Sequence, residues 1–221
     1  MPVLRLIIAN KNYSSWSMRA WVLLREARIP FEEVQLKFTD PGRVGGIEEL
    51  SPTGLVPVLW IDGEPVWDSL AICEAVAELF PERRLWPADA IARRVARSVS
   101  AEMHAGFGEL RRNMPMNIRS SHPGKGLSPA VRSDIERVVS IWESCRVRFG
   151  GDGEMLFGGF TCADAMFAPV ATRFSTYAVG LPSVAQRYAS ALLALPSVRQ
   201  WCEAARAETE FVPADEPYAS G

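Results

Sequence analysis

The stretch GLVPVLWIDGEPVWD, residues 54–68, contains two short apolar runs on either side of an Asp-Gly pair. Asp-Gly between two such runs is a strong signal for a tight β-hairpin. The next segment, SLAICEAVAELF at 69–80, carries its apolar residues near one face of a helix. This part of the chain is therefore predicted to fold as strand, strand, helix.

The residues before the hairpin predict a β-α-β unit. VLRLIIAN at 3–10 is a continuous apolar run of strand length, which is typical of a strand covered on both faces. SMRAWVLLREARI at 17–29 has apolar residues at helical spacing, and PFEEVQLKF at 30–38 alternates in part, as a second strand does. This order favours a parallel strand pair with a right-handed crossover. Residues 1–81 are therefore predicted to form a small α/β domain.

The rest of the chain is predicted to be helical. PERRLWPAD at 81–89 interrupts the pattern with two prolines and several charges, as a linker does. Residues 88–221 are expected to form a second, all-helical domain with an irregular tail. Its predicted helices span 88–114, 129–149, 161–179, 182–194 and 196–208.

The composition excludes some classes of partner. The 221 residues are 48% hydrophobic and 23% charged, ordinary values for a soluble globular protein. The net charge is −2 and there is no basic block, so no nucleic-acid partner is expected. No apolar run approaches the roughly 20 residues that a membrane span requires, so no membrane association is expected either.

The start of the chain, its cysteines and its histidines favour a metal-free protein of the cytoplasm. The first ten residues are too short for a secretory signal and run directly into the first strand. The four cysteines form no CxxC pair and read as small buried residues of a reducing compartment. The two histidines, His104 and His122, are not at metal-ligand spacing, so no metal site is expected.

A cluster of hydroxyl groups stands where the first strand gives way to the first helix. In NKNYSSWSMR at 10–19, Ser14 or Ser15 could simply cap the helix that starts near Ser17. A hydroxyl together with the helix dipole could instead stabilise an anion such as a thiolate. A serine nucleophile is a third possibility, which needs a base that the sequence does not place nearby.

Two further features lie in the stretch quoted first. Pro57 donates no ladder hydrogen bond, so it belongs on a strand edge or in a special turn. A cis Val56-Pro57 bond would leave the Val56 main chain free for a ligand, but only about 5–6% of X-Pro bonds are cis, and a trans edge proline is the commoner explanation. Asp68 and Ser69 begin a helix, where they can cap it or bind the charged ends of a ligand.

Taken together, these features resemble the cytosolic glutathione transferase superfamily. The order is strand, hydroxyl cluster, helix, GLVPVL, hairpin, WDSLAI, an LWP linker and an all-helical domain. SSWSMR is most similar to the zeta-class pattern, and FGGFTCADAMFAPV at 157–170 is similar to the signature of the second domain. LPSVRQWCEAA at 195–205 also fits, so the resemblance covers about residues 4–208. It implies a thioredoxin-like first domain and an all-helical second domain that forms the electrophile pocket.

The resemblance implies specific roles for the glutathione site. Ser14 corresponds to the serine that hydrogen-bonds the glutathione sulfur and favours thiolate, with Ser15 as the competitor for that role. Val56 corresponds to the residue whose main chain pairs with the cysteinyl part of glutathione, and Pro57 to the cis-proline that follows it.

The resemblance also implies how the two ends of glutathione are held. Asp68 and Ser69 correspond to the acidic residue and serine that grip the γ-glutamyl group, although the usual acid is the longer Glu or Gln. The glycyl carboxylate is held in the loop 37–50, where Lys37 and Arg43 are candidates.

Three more positions have a meaning within the resemblance. Zeta members carry a cysteine where this chain has Trp16, which separates it from the isomerase and haloacid activities of that class. His104 and Arg111 share a face of the predicted helix 88–114 and could contact the electrophile, or could form a solvated or interfacial face. Thr161 and Asp164 stand at capping-box spacing and are interpreted as folding residues, not catalytic ones.

The resemblance implies a cytoplasmic homodimeric enzyme of detoxification that transfers glutathione, its co-substrate, to a small electrophile. One alternative is a glutathione-dependent isomerase resembling maleylacetoacetate isomerase, which the serine pair suggests. Another is a non-catalytic glutathione-binding regulatory protein on the same fold, because a fold alone does not specify an activity.

Overall fold

The computed structural model describes residues 2–40 and 43–219. The first part consists of β1 Leu4–Ile8, α1 Ser15–Glu26, β2 Glu32–Gln35, β3 Phe38–Asp40, β4 Arg43–Val44, β5 Val58–Ile61, β6 Glu64–Val66 and α2 Ser69–Leu79. The second part consists of α3 Ala90–Ala105, α4 Gly108–Asn113, α5 Pro129–Phe149, α6 Cys162–Thr176, α7 Ser183–Ala194 and α8 Pro196–Ala207. The predicted fold class, a thioredoxin-like α/β part followed by an all-helical part, is confirmed.

The main sheet brings the hydroxyl cluster and the proline segment to the same end. Its strand order is β2-β1-β5-β6, with β1 parallel to β2 and antiparallel to β5. Ile7 of β1 lies opposite Val58 of β5. Because these two strands are antiparallel, the residues that follow β1 and the residues that precede β5 lie at one end of the sheet. That register positions Ser14 near Val56.

The predicted hairpin and parallel pair are both present. β5 and β6 pair around Asp62 and Gly63, whose φ angles are +50° and +91°. Aspartate and glycine are the residues that tolerate such backbone angles in a tight hairpin turn. The second predicted strand, 30–38, is divided: β2 covers its first half, and Phe38 begins β3, which pairs with β4 in a separate two-stranded ribbon.

Helix α1 joins the two parts of the chain into one core. Trp21 is buried and its ring meets that of Trp201 from α8 edge to face, with 5.4 Å between the ring centroids. On α6, Met166 accepts a hydrogen bond at its carbonyl from Arg19 Nε of α1, at 3.1 Å. A single cluster of buried apolar side chains runs from the sheet into the helical part. The position of α1, and of the residues at its N-terminus, is therefore fixed by both parts.

The prediction of a single helix at 88–114 is wrong, because α3 ends at Ala105 and α4 begins at Gly108. Gly106 is extended and Phe107 has a left-handed backbone with φ +61°. Glycine is unfavourable inside a helix, and the ring of Phe107 is buried by the break. Arg111 Nε donates to the carbonyl of Gly106 at 2.9 Å, which satisfies one of the acceptors left free beyond the helix end.

Helix α6 begins with the capping box that the sequence predicts. Asp164 Oδ2 accepts from the Thr161 main-chain N–H at 2.8 Å, and Asp164 Oδ1 accepts from Tyr188 Oη at 3.1 Å. Asp164 is fully buried, and its burial raises the pKa of the carboxyl group. Every contact of this carboxylate is internal to the helical part, so its role is structural.

No helix among residues 2–40 and 43–219 is both long and apolar enough to cross a membrane.

Candidate active site

Ser14 caps helix α1 and lines a cavity at the same time. Its Oγ accepts from the Ser17 N–H at 3.4 Å and donates to Ser17 Oγ at 2.8 Å. Ser17 Oγ in turn accepts from the N–H of Ala9 at 3.1 Å, which ties the helix start to the end of β1. The capping interpretation is therefore correct for Ser14, and the hydroxyl also stands at the positive end of the helix dipole.

Ser15 has a different environment. It is the first residue of α1, and its Oγ accepts a hydrogen bond from Arg173 Nη2 at 3.1 Å. Arg173 belongs to α6, is 4% exposed, and is held by a bond from its Nε to the carbonyl of Met114 at 2.9 Å. Since the Ser15 oxygen acts as acceptor here, its own proton remains available to a ligand.

The two serines face a cavity of about 360 Å³ between the two parts of the chain. The wall from the first part includes Ser14, Ser15 and Val56, and the opposite wall includes Arg111 and Arg173. Of the residues for which the sequence predicts a role at the glutathione site, the structure thus brings Ser14, Ser15 and Val56 together on this cavity.

The Val56-Pro57 peptide bond is cis, as the resemblance implies. Pro57 is buried and directly precedes β5, whereas Val56 is half-buried at the cavity wall. Val56 makes no main-chain hydrogen bond to any other described residue. Its N–H and C=O are therefore free to pair with an extended ligand, as an edge strand would be.

Asp68 and Ser69 lie at the start of α2, outside the lining of this cavity. Asp68 Oδ1 accepts from the N–H of Leu70 at 3.0 Å, which is an N-cap, and Asp68 Oδ2 lies 2.7 Å from His104 Nε2. The Ser69 hydroxyl is fully buried and has no hydrogen-bond partner among the described residues. A buried hydroxyl without a partner is costly, so Ser69 is a group that a ligand could satisfy.

The Asp68–His104 pair joins residues for which the sequence predicts separate roles. His104 pairs with the aspartate of α2, and its ring meets the indole of Trp16 edge to face, with centroids 5.3 Å apart. Trp16 in turn lines the cavity. The link between Asp68 and the cavity therefore runs through His104 and Trp16.

Lys37, a candidate for the glycyl carboxylate, is engaged by the C-terminal tail. Its ammonium lies 2.7 Å from Glu210 Oε1 and 3.9 Å from Glu208 Oε1. This lysine also lowers the pKa of the Glu210 carboxyl group by hydrogen bonding to it. The other candidate, Arg43, is exposed in β4.

The tail, which has no regular pattern in the sequence, is fastened to the loop that carries the serines. The Glu208 carboxylate accepts from the main-chain N–H groups of Lys11 and Asn12, at 2.8 and 3.0 Å. Tyr13 Oη donates to Glu216 Oε1 at 2.7 Å. Burial and this carboxylate raise the pKa of Tyr13 to about 12, so Tyr13 is a neutral residue committed to the tail.

Two family models match this chain. Residues 13–79 match the model described as "Glutathione S-transferase, N-terminal domain", and residues 89–204 match "Glutathione S-transferase, C-terminal domain". The chain belongs to the glutathione S-transferase family.

Two curated relatives of this protein match only part of its chain. The protein LigF of Sphingobium sp. is 36% identical over 83 residues, which is 35% of this chain and 31% of the relative. A probable maleylacetoacetate isomerase of Caenorhabditis elegans is 30% identical over 100 residues, which is 45% of this chain and 46% of the relative. The matched segments thus span less than half of either relative's length.

Solved structures of the family share the whole fold. A glutathione transferase homolog from Burkholderia gl BGR1 with bound glutathione is 24% identical, with a TM-score of 0.71 over 93% of this chain and 100% of that one. A tau class glutathione S-transferase from mango, Mangifera indica, is 18% identical, with a TM-score of 0.69 over 92% of this chain and 96% of that one. At these identities the likeness establishes the fold.

Arg173 is a cavity residue that sequence analysis missed. Its contacts to Ser15 and Met114 join segments 158 and 59 residues apart in the chain, so no local pattern reports them. One signal was present: Arg173 is the only charged residue after Asp164 in α6. Arginine is rarely fully buried without a functional or structural partner.

Within the described residues, no group of three or more His, Cys, Asp or Glu side chains is arranged to hold a metal ion.

Proposed function

We propose that this protein is a glutathione transferase that conjugates glutathione to small electrophiles through a serine-stabilised thiolate. The observation that carries the proposal is the convergence of Ser14, Ser15 and the free Val56 main chain on one cavity, at the N-terminus of α1. Membership of the glutathione S-transferase family supports a glutathione-dependent reaction in that cavity.

The physical step is ionisation of a bound thiol. A free thiol has a pKa of about 8.5, so lowering that pKa by ~2 units raises the thiolate fraction at pH 7 by well over tenfold. A hydroxyl donor and the N–H groups at a helix N-terminus stabilise only the charged form. Ser14 is proposed as the donor to the sulfur, with Ser15 as the competing candidate.

The remaining parts of glutathione have candidate partners along the same side. The Val56 N–H and C=O would pair with the cysteinyl residue in the manner of an added strand. The buried Ser69 hydroxyl and the main-chain N–H groups at the start of α2 would donate hydrogen bonds to the γ-glutamyl carboxylate. Asp68 would take the ammonium group, which then shares this carboxylate with His104.

The isomerase alternative is favoured by the serine pair and by the similarity to a probable maleylacetoacetate isomerase. It is opposed by Trp16, since zeta members carry a cysteine at this position. A glutathione-dependent cis–trans isomerisation of a cis-configured unsaturated diketo acid, at a rate exceeding every conjugation reaction, would decide for the isomerase. The third alternative, a non-catalytic binder, requires glutathione affinity without turnover.

We also propose that the protein is cytoplasmic and forms a homodimer. Each subunit would consist of a glutathione-binding domain at 1–81 and a helical domain at 88–221. The two family models, which end and begin at 79 and 89, support the division.

The deciding experiment measures two quantities on the purified protein. Thiolate absorbance of bound glutathione as a function of pH gives the thiol pKa, and an activity panel of chlorinated aromatics, epoxides, peroxides and haloacids gives turnover. We expect a thiol pKa at least one unit below that of free glutathione, together with conjugation of at least one member of the panel. Glutathione bound with an unshifted thiol pKa and no turnover would leave only the non-catalytic alternative.

A further inference from the structure

A single carboxyl group lines the cavity. Among the described residues of the cavity wall, which also includes Ser14 and Ser15, Asp215 is the only one with a carboxyl side chain. It belongs to the C-terminal tail, residues 208–219, and ends a short helical turn at Pro213–Asp215. Asp215 is half-buried, and its carboxylate forms no hydrogen bond or ion pair with any other described residue. The group is therefore free to act on a ligand.

The residue next to Asp215 fixes the tail in this position. The carboxylate of Glu216 is buried and accepts a hydrogen bond from Tyr13 Oη at 2.7 Å. It also accepts from Asn117 Nδ2 at 2.6 Å and from Arg119 Nη2 at 3.3 Å. Tyr13 belongs to the loop that carries the two serines. Because Glu216 is bound to that loop, its neighbour Asp215 is held at the cavity without a bond of its own.

The surroundings of Asp215 make its carboxyl group an acid that works near neutral pH. Burial raises the pKa of Asp215 to about 6 against the opposing effect of Arg173 on α6, and the charge of Glu216 raises it further. The other titratable groups that face Asp215 are Tyr13 and Arg111 on the cavity wall and Tyr177 directly after α6. A carboxyl group with this pKa keeps its proton in part of the molecules at physiological pH and can give it to a ligand.

The opening of an epoxide requires a proton, whereas the displacement of a halide does not. When a thiolate attacks an epoxide, a carbon–sulfur bond forms and a carbon–oxygen bond breaks. The electron pair of the broken bond stays on the oxygen as an alkoxide, which must gain a proton. When a thiolate displaces chloride, the electron pair leaves with the chloride ion, which needs no proton. A positioned general acid accelerates a reaction of the first kind by about 10²–10⁴-fold.

We propose that Asp215 is the general acid of this cavity and that the electrophile it serves is an epoxide. The thiolate held by Ser14 attacks a carbon of the epoxide ring, and the Asp215 carboxyl group gives its proton to the ring oxygen, which becomes an alcohol. The Asp215 carboxylate then takes up a proton from water, which replaces the proton that the thiol released. This inference rests on the proposed function, and it goes beyond that function in naming the class of electrophile and the residue that protonates it.

The test compares two electrophiles of similar shape, styrene oxide and benzyl chloride. Both react with the same glutathione thiolate, so a change in the thiolate fraction cancels in the ratio of their kcat/KM values. With the full chain we expect the ratio of styrene oxide to benzyl chloride to fall roughly tenfold as the pH rises from 6 to 7.5. The reason is that the protonated fraction of Asp215 falls by about that factor over this range. A ratio that is constant with pH would overturn the inference.

Variants of Asp215 test whether its carboxyl group is responsible. Asp215→Asn keeps the shape of the side chain but has no acidic proton, so it should lower the ratio at pH 6 at least tenfold and remove its dependence on pH. Asp215→Glu keeps the carboxyl group and should retain the pH dependence. Asp152→Asn is the matched control, because Asp152 is exposed in the loop between α5 and α6, outside this cavity. If Asp215→Asn does not fold, the wild type and Asp215→Glu still give the answer.

The outcomes separate this inference from the proposed function. Turnover of benzyl chloride together with a ratio that Asp215→Asn leaves unchanged would refute the general acid and leave the transferase function intact. An equal loss of turnover with both electrophiles in Asp215→Asn would also overturn the assignment, since the carboxyl group would then act on the thiol or on the fold. Glutathione binding by the wild type without turnover of either electrophile would refute the proposed function, and the inference with it.

Discussion

Replacing Ser14 by alanine separates thiol activation from helix capping. In the free protein the Ser14 hydroxyl donates to Ser17 Oγ at 2.8 Å and accepts from the Ser17 N–H at 3.4 Å. If the hydroxyl donates to the glutathione thiolate when the ligand is bound, the serine exchanges its bond to Ser17 for a bond to a charged acceptor. Ser14→Ala removes only the second bond from the bound state.

The size of the expected change in thiol pKa follows from the exchange of the bond to Ser17 for a bond to the thiolate. A hydrogen bond to a charged partner contributes about 1.5–3 kcal/mol, and the bond to Ser17 that is given up contributes about 1 kcal/mol. The difference, roughly 0.5–2 kcal/mol, acts on the ionised thiol alone and corresponds to a thiol pKa raised by roughly 0.4–1.5 units. Below the thiol pKa the rate is proportional to the thiolate fraction, so the rate near neutral pH should fall about 3- to 30-fold.

The assay is the pH–rate profile of conjugation together with the thiolate absorbance of the binary complex. The acidic limb of the profile should move to higher pH, and the plateau at high pH should change little. Glutathione affinity should weaken far less than the rate, because the Val56 main chain, Asp68 and Ser69 hold the rest of the tripeptide.

Ser15→Ala is the comparison variant, and it should leave the thiol pKa near the wild-type value. If the two variants exchange behaviours, the activating serine is Ser15, whose own proton is free in this structure. If neither variant moves the pKa and both lower the melting temperature, the serines are structural and the catalytic proposal fails. Ser14→Ala with lower affinity and an unchanged pKa would put the hydroxyl on the ligand but away from the sulfur.

Three further outcomes are expected. Thr161→Ala should reduce the free energy of unfolding by about 0.5–2 kcal/mol in chemical denaturation, since it breaks the capping box with Asp164; a large loss of glutathione affinity in the folded variant would show that Thr161 is a site residue. Sedimentation at micromolar concentration should give a species of twice the chain mass, and a species of one chain mass alone would exclude the proposed homodimer. Burial raises the pKa of Asp215 from the ordinary value of about 3.8 to about 6. Because a raised pKa in the folded state favours the protonated carboxyl group, protonation of Asp215 stabilises the folded protein, and this effect is complete below about pH 3.8. The stabilisation is lost as the pH rises through about 6. Asp215→Asn should therefore become more stable relative to the wild type as the pH rises from 4 to 7, and melting temperatures that run parallel across this range would contradict the assignment.

The parts of the fold that were predictable from the sequence are those that local chemistry decides. The Asp62-Gly63 pair predicts the hairpin because few residues accept the backbone angles of the turn. Thr161 and Asp164 cap α6 within one helical turn, so their spacing is enough to identify them. The break at Gly106–Phe107 was missed because a glycine alone does not end a helix. It depends on the folded arrangement, in which Phe107 is buried and Arg111 bonds back to the free carbonyls.

The candidate site divides in the same way. Ser14, Ser15 and Val56 flank strands β1 and β5, so the order of elements was enough to bring them together. The contacts of Asp68 with His104, of Ser15 with Arg173 and of Tyr13 with Glu216 cross 36, 158 and 203 residues of sequence. Pairs this far apart in one sequence leave no periodic signal, and only the packing of the two parts of the chain against each other reveals them.

The ring of Trp16 contacts residues from both parts of the chain. Its indole touches His104, which pairs with Asp68 on the side expected to hold the γ-glutamyl group, and it also lies against the guanidinium groups of Arg19 and Arg111. A cysteine, which zeta members carry at this position, is too small to make all of these contacts at once. The cation–π contacts of Arg19 and Arg111, about 0.5–2 kcal/mol each, would be lost with the ring. The departure at Trp16 therefore does more than remove a thiol: it places an aromatic ring against His104, Arg19 and Arg111, a contact that a cysteine side chain would not make.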